Sequence, residues 1–280
     1  MAGILYIVGT PIGNMEDMTL RAIRVLGEVD LVAAEDTRVA RKLLSKYGIQ
    51  ARLLSCHDAN EKKRAAELIG RLKGGSKVAI TSDAGMPGLS DPGYRLIRCA
   101  IDEGIRVEVV PGPSAVVSAL AVSGLPAHNF VFRGFPPRGE AAKRKVLAGM
   151  LFEDKTSIFF EAPGRLLSTL EIIRDVLGPG RNVVICRELT KLNEEVIRGS
   201  VSDVLEQVGK ERVRGEVVLL VGGVDGSDTW RKLDPAEHLR MVEEELSIER
   251  MEAIKLVARM RGVARDAVYK IALKKKDKCI

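Results

Sequence analysis

The feature that most constrains this chain is where its glycines and prolines fall relative to its apolar runs. Within the first 125 residues, runs of strand length each end in a loop of Gly, Pro and small polar residues. Ile4–Val8 leads into Gly9-Thr10-Pro11-Ile12-Gly13-Asn14, and Leu31–Ala34 into Glu35-Asp36-Thr37-Arg38. Lys77–Thr81 leads into the twelve residues 82–93, and residues 107–110 into Pro111-Gly112-Pro113-Ser114. Helical patterns fill the intervals. Thr19 is placed to cap a helix through Leu26, a second runs to Tyr47 and stops at Gly48, Asn60 opens a third, and Gly104 closes a fourth that starts at Tyr94. An Ala/Val-rich helix follows Ser114. This alternation dictates a parallel sheet with helices on its faces, whose ligands bind beyond the carboxyl ends of the strands.

Gly124-Leu125-Pro126 interrupts the pattern. Beyond it, residues 130–133, 156–160, 183–186, 196–198 and Val217–Val221 read as five strands, with long helices over about 140–151 and 166–177. That is the pattern of an α+β domain with a mixed sheet. Residues 222–228 form a linker by composition. From about Pro235 the chain is helical: Met251, Ile254, Val257 and Met260 recur at helical spacing, Gly262-Val263 breaks the helix, and a basic helix follows from about Arg265. Helix, glycine-containing turn and basic helix are laid out as in a helix-turn-helix, although any αα-hairpin shares the pattern. The expected organisation is α/β, with an N-terminal domain over 1–125, a second over 126–224, and a helical region over 235–280.

The chain carries a net charge of +6, and the excess is uneven. From Arg261 onward seven basic residues face two acidic ones, a local charge of +5. Clustering of this kind favours a polyanionic partner. Arg265, Lys270, Lys274, Lys275 and Lys276 are therefore candidates for contacts to an RNA backbone made without reading sequence. A solvated tail is the plainer alternative. The longest apolar runs are strand-sized, and the first residues lack the basic region and cleavage site of a signal peptide, so a cytoplasmic protein without membrane contact is expected. The four cysteines form no Cys-x-x-Cys pair and only three histidines are present, so no metal site is expected.

The loops narrow the chemistry. The first is Gly-x-x-x-Gly, not Gly-x-Gly-x-x-Gly, and no Gly-Lys-Ser/Thr follows, which excludes a dinucleotide fingerprint and a P-loop. Its glycines let the backbone come close to a ligand. The second holds Asp83 and Asp91 among turn formers, where a carboxylate can accept from ribose hydroxyls or attract a cation. Small neighbours leave room there for a flat ring. The third places Ser114 near a helix N-terminus, either as a plain cap or beside amides free to bind an adenine edge or a carboxylate. No Gly-x-Ser-x-Gly elbow is present, and the histidines sit in unremarkable contexts, so nothing suggests hydrolysis through a nucleophile.

Taken together these segments resemble a known family. Ile7-Val8-Gly9-Thr10-Pro11-Ile12-Gly13-Asn14, Ala34-Glu35-Asp36-Thr37-Arg38, residues 82–93, Pro111 to Ala115, Phe160-Glu161-Ala162-Pro163, Arg187-Glu188-Leu189-Thr190-Lys191 and Gly215-Glu216-Val217-Val218 occur in the order seen in the ribosomal RNA small-subunit methyltransferase I family. That family lies within the tetrapyrrole-methylase superfamily of class III S-adenosylmethionine-dependent methyltransferases. The resemblance spans nearly the whole chain, including the helical tail. It implies the tetrapyrrole-methylase fold, two α/β domains with the cofactor in the cleft between them, plus the helix-turn-helix-like tail, and a homodimer. It implies S-adenosyl-L-methionine contacts from Pro11, Gly13, Asp83, Ala84, Met86, Ser114 and Ala115, with Phe160, Glu161, Val217 and Val218 from the second domain. Relatives often carry threonine where this chain has Met86, which a backbone contact would tolerate. Arg133 has no position in the pattern to which a role attaches.

The implied reaction is 2′-O-methylation of a cytidine ribose in 16S ribosomal RNA. A 2′-hydroxyl is a poor nucleophile, so a proton acceptor or an electrostatic clamp should assist a reaction that otherwise depends on positioning. Glu35 or Asp36 is expected to accept the proton, Arg38 and Lys191 to hold phosphates, and Glu161, Arg187 and Glu216 to border the same cleft. The same charges could instead brace the two domains through ion pairs. Two further readings stay open: a C-methylase acting on a tetrapyrrole precursor, and a non-catalytic nucleic-acid-binding protein.

Overall fold

The computed structural model describes residues 3–209, 213–224, 233–246 and 248–274. By packing, the chain divides into two units: Met1–Val122 with Cys186–Glu195, and Ser123–Ile185 with Val196–Ile280.

The first unit is built on a five-stranded sheet of β1 (Ile4–Val8), β2 (Leu31–Ala34), β3 (Leu53–Ser55), β4 (Lys77–Thr81) and β5 (Arg106–Val110), in the order β3-β2-β4-β1-β5. Its strands pair in parallel throughout: Ile4 lies opposite Lys77 on one side and Arg106 on the other. The alternation of strand and helix therefore produces the parallel sheet it dictates. Helices α1 (Leu20–Glu28) and α2 (Thr37–Lys46) bury Val25, Leu26, Leu43 and Leu44 with Val8, Val32 and Val110. Helices α3 (Glu61–Lys73) and α4 (Tyr94–Asp102) bury Leu68, Leu72 and Leu96 with Leu5, Val78 and Ile80, on the opposite face because neighbouring strand residues point to opposite sides. Helix α5 (Ala115–Ser123) follows β5. Thr19 caps α1 as its sequence position requires, its hydroxyl accepting from the amide of Ala22. Gly48, at φ 66°, takes the left-handed conformation that ends α2.

The connections set the position of the site. β1 sends the chain past β4 to β2, whereas β4 sends it past β1 to β5. The loops leaving these adjacent strands must part, and such a divergence opens a crevice at the carboxyl edge.

The second unit has a five-stranded sheet in the order β6-β7-β10-β8-β9, from β6 (Phe130–Phe132), β7 (Thr156–Glu161), β8 (Asn182–Arg187), β9 (Glu195–Ser200) and β10 (Val217–Val221). It is mixed: β6 runs parallel to β7, and β10 antiparallel to it. Helices α6 (Glu140–Ala148), α7 (Pro163–Leu177) and α8 (Val201–Val208) cover one face, enclosing Leu147, Phe159, Leu170, Ile173, Val204 and Leu219. Truncating a side chain as deeply buried as Phe159 to alanine costs about 3–5 kcal/mol. Arg133 donates to Ser157 at 2.9 Å and to Glu153 at 3.2 Å, so it ties β6 to β7.

Helices α9 (Pro235–Leu246), α10 (Arg250–Arg261) and α11 (Arg265–Lys274) form a small core of their own from Leu239, Val242, Ile254, Val257 and Val268. Gly262, at φ 63°, makes the turn between α10 and α11. Buried His238 accepts from Arg261 Nε at 2.9 Å, and burial with the adjacent guanidinium depresses its pKa to about 4. The expected linker reaches into 225–228, which lie outside the described residues, as do Lys275 and Lys276.

Candidate active site

The carboxyl edge of the parallel sheet is held together by backbone. Thr10, just past β1, and Gly85, in the long loop after β4, exchange amide-to-carbonyl bonds of 2.9 and 3.1 Å, and the Thr10 hydroxyl donates to the carbonyl of Ser82 at 3.2 Å. The parting loops are thus stitched at their base. On the other side Gly9 meets Gly112, where a Cβ on Gly9 would lie 2.6 Å from Met86 Sδ and 2.8 Å from Gly112 Cα. The room left by these glycines is taken by the protein's own chain, which fixes the β1, β4 and β5 loops against one another.

Gly13 shows the same economy of space. A Cβ there would fall 2.6 Å from Lys191 Cγ, 2.7 Å from Thr190 Oγ1 and 2.9 Å from the carbonyl of Leu189. The amide of Asn14 donates to Thr190 Oγ1 at 3.0 Å. The segment that makes these contacts is strained: Glu188 stands at φ 51° and Thr190 at φ 66°, a region costly for a β-branched residue. It is held by Glu194, whose carboxylate accepts from the Thr190 amide at 2.6 Å, and by Lys191 Nζ donating to Glu188 at 2.9 Å. Arg187 pairs with Glu195 at 2.9 Å.

Carboxylates gather where β2 and β4 end. The Asp36 amide donates to Asp83 Oδ1 at 3.0 Å, and the Asp83 amide to Glu35 Oε2 at 3.4 Å. Burial raises the pKa of Glu35 above its ordinary value, and burial likewise raises Asp83. Asp91 is pushed up to about 6, first by burial and then by Glu35. Asp36 goes the other way. It caps α2 and is gripped by Arg38, whose Nη2 lies 2.6 Å away, so its pKa falls to about 2.

Buried Glu61 braces the long loop from behind. One oxygen accepts the amides of Gly93, Arg95 and Leu96 at 3.0, 2.9 and 3.4 Å, at the start of α4. Met86 packs toward the α3–α4 core, so it would meet a ligand through its backbone. Ser114 accepts the Ser118 amide through its carbonyl as α5 begins, next to Ala115. Pro11 is buried and Ala84 lies beside Asp83 in the β4 loop.

The remaining expected residues lie in the second unit. Phe160 and Val218 are register partners on β7 and β10, and Phe160 meets Phe132 edge-on and Phe135 at a tilt, with ring centres 5.0 and 5.6 Å apart. Val217 and Glu161 point to the other face. Val217 belongs to the helix-covered core. Glu161 is fully buried, accepting from Thr169 at 2.6 Å and pairing with Arg165 at 2.7 Å, while buried Lys143 donates to Thr169. Glu216 is exposed just before β10. Arg265 and Lys270 are exposed on α11, and Lys274 ends that helix.

Glu61 escapes the sequence reading, and Thr10, Gly112 and Thr190 enter it only as members of their loops and motifs, with no role assigned to them. Glycines at strand ends signal close approach without saying what approaches. Nothing local marks a threonine that adopts a left-handed backbone.

This architecture is that of a tetrapyrrole methylase. The family described as Tetrapyrrole (Corrin/Porphyrin) Methylases matches residues 4–205. The crystal structure of the methyltransferase CobJ superposes with a TM-score of 0.61 at 20% identity, over 80% of this chain and 95% of that one. Uroporphyrin-III-C-methyltransferase from Thermus thermophilus gives 0.53 at 25% identity, over 79% and 94%. Two curated relatives are each named Ribosomal RNA small subunit methyltransferase I: that of Thermotoga maritima is 51% identical over 79% of this chain and 99% of its own length, and that of Escherichia coli O157:H7 is 43% identical over 97% and 95%. The chain belongs to the ribosomal RNA small subunit methyltransferase I family. Its methyl donor is S-adenosyl-L-methionine. The residues suit that molecule: its cationic groups and ribose hydroxyls call for carboxylates at a strand end, and a cation would offset the burial and the repulsion by Glu35 that raise Asp91. No helix among the described residues is long and apolar enough to cross a membrane.

Proposed function

We propose that this protein methylates the 2′-hydroxyl of a cytidine ribose in 16S ribosomal RNA, acting in the cytoplasm as a homodimer. The observation that carries the reading is the extent of the likeness. Identity of 43% with the Escherichia coli relative runs over 97% of the chain, whereas the methylase match ends at residue 205. That relative shares the three-helix region, and both it and the shorter Thermotoga maritima relative are named for ribosomal RNA, which favours RNA over a tetrapyrrole precursor.

When bound, S-adenosyl-L-methionine supplies an electrophilic methyl group. Asp83, Ala84 and Met86 from the β4 loop, Pro11 and Gly13 from the β1 loop, and Ser114 and Ala115 from the β5 loop would hold it. Of the two candidate bases, Glu35 is the better acceptor for the ribose proton. Burial raises its pKa, while Asp36 is occupied by Arg38 and the cap of α2. Arg38 and Lys191, each already paired with a carboxylate, would turn their remaining donors to phosphate oxygens.

The test is methyl transfer from radiolabelled S-adenosyl-L-methionine to purified small subunits lacking the modification, followed by nucleoside analysis. Recovery of 2′-O-methylcytidine is expected. Transfer to a tetrapyrrole precursor and not to subunits or free 16S RNA would overturn the assignment.

A further inference from the structure

Helix α2 leaves the carboxylate cluster at Asp36 and runs down the outside of the first unit. Its sequence, Thr37-Arg38-Val39-Ala40-Arg41-Lys42-Leu43-Leu44-Ser45-Lys46, contains no acidic residue. At about 100° per residue, Arg38, Arg41, Lys42 and Lys46 fall within one arc of about 140°, opposite buried Ala40, Leu43 and Leu44. All four cations are exposed. Arg38 is bonded to Asp36 at the head of the helix. Arg41, Lys42 and Lys46 have no carboxylate partner among the described residues.

Many cations elsewhere in the same unit are paired, although Lys62 and Lys63 on α3 are, like those of α2, without a carboxylate partner among the described residues. On α3 and α4, Arg71 pairs with Glu67, Lys73 with Glu103 and Arg98 with Asp102. On α1, Arg24 pairs with Glu28 and Arg21 reaches Glu108. A face kept only for solubility takes both signs at i,i+4 spacing, as Arg24–Glu28, Glu67–Arg71 and Arg98–Asp102 do. A face of one sign beginning at the reaction site suits a polyanion.

We infer that the outer face of α2 is a track for the phosphates of the RNA strand flanking the target nucleotide, and this inference rests on the rRNA reading above. From Arg38 to Lys46 the helix rises about 12 Å, long enough to set its cations along more than one phosphate of a strand. The contacts are to backbone charge and carry no base information. Arg38 anchors the strand at the crevice, and the next three cations hold what extends from it.

The test replaces Arg41, Lys42 and Lys46 together by glutamine in the full chain. Binding of 16S RNA and of small subunits is then measured across a salt series, alongside affinity for S-adenosyl-L-methionine. A control removes three cations from the opposite face (R71Q/K73Q/R98Q). The R41Q/K42Q/K46Q variant should keep its donor affinity and thermal midpoint, lose about tenfold or more in RNA affinity at low salt, and show a log–log salt slope shallower by about 2, at ~0.7 per phosphate contact. The control should change the slope far less. Equal slopes for the variant and the unchanged protein, with methylation of the subunit intact, overturn the track and leave the rRNA reading standing. A slope change in a protein that binds RNA but methylates none removes the rRNA reading, and with it a track that leads to a target nucleotide.

Discussion

Thr190 gives the sharpest test of how the first loop is held, because two opposing energies meet in one side chain. Its φ of 66° costs about 1–3 kcal/mol for a β-branched residue, while its hydroxyl, 3.0 Å from the Asn14 amide, contributes about 0.5–1.5 kcal/mol. Thr190→Val keeps the strain and loses the bond, so it should destabilise by about 1 kcal/mol, or roughly 2–4 °C in a chain of this size. Thr190→Gly loses both strain and bond and adds about 0.5–1 kcal/mol of unfolded-state entropy, so it should stay within about 1 kcal/mol of the parent. Affinity for S-adenosyl-L-methionine should follow a different order. Both variants release the Asn14 amide and should bind the donor more weakly to a similar degree, whereas Thr190→Ser should restore binding. Thermal unfolding followed by far-ultraviolet circular dichroism and titration calorimetry read the two quantities separately. Parental affinity in Thr190→Gly would refute the claim that the hydroxyl holds the loop, and a glycine variant as unstable as the valine one would refute the strain.

Gly112→Ala would bring a Cβ within 2.9 Å of the Gly9 backbone, so it should cost about 1–3 kcal/mol and weaken donor binding, as thermal unfolding and calorimetry would show. Asp91 titrates near 6 in the folded protein, above its ordinary 3.8, so the native state binds the extra proton between those values and stability should fall as pH rises from about 4 to about 6. Asp91→Asn should remove that fall in a pH series of urea midpoints. Deleting residues 235–280 should lower RNA affinity and its salt dependence while leaving donor binding in place, which filter binding across a salt series would show.

The first unit was largely legible because its signals are local. β1, β2 and β4 end where their apolar runs end, and Thr19 and Gly48 close helices by rules that need only neighbouring residues. Three-residue β3 escaped, being too short for a period to show, and so did α8, which its Ser200 cap could have signalled. The loops could be recognised as sites from their composition. What composition does not carry is long-range contact: Glu61 reaching Gly93, or Thr190 reaching an amide 176 residues earlier in the chain. Nor does a sequence separate Glu35 from Asp36, whose proton affinities diverge because one is buried and the other is held by Arg38.

The segment Cys186–Glu195 packs with the first unit although the chain reaches it only through the second. On the ribosome, the sheet of the first unit is complete in sequence once Val122 has emerged, yet the residues that lock Gly13 and Asn14 follow about seventy residues later. At synthesis rates of ~5–20 residues per second that is a delay of about 4–15 s. The nascent first unit can fold its core in that interval with its β1 loop unsecured. The base of the candidate site is thus completed only after about two thirds of the chain has been made.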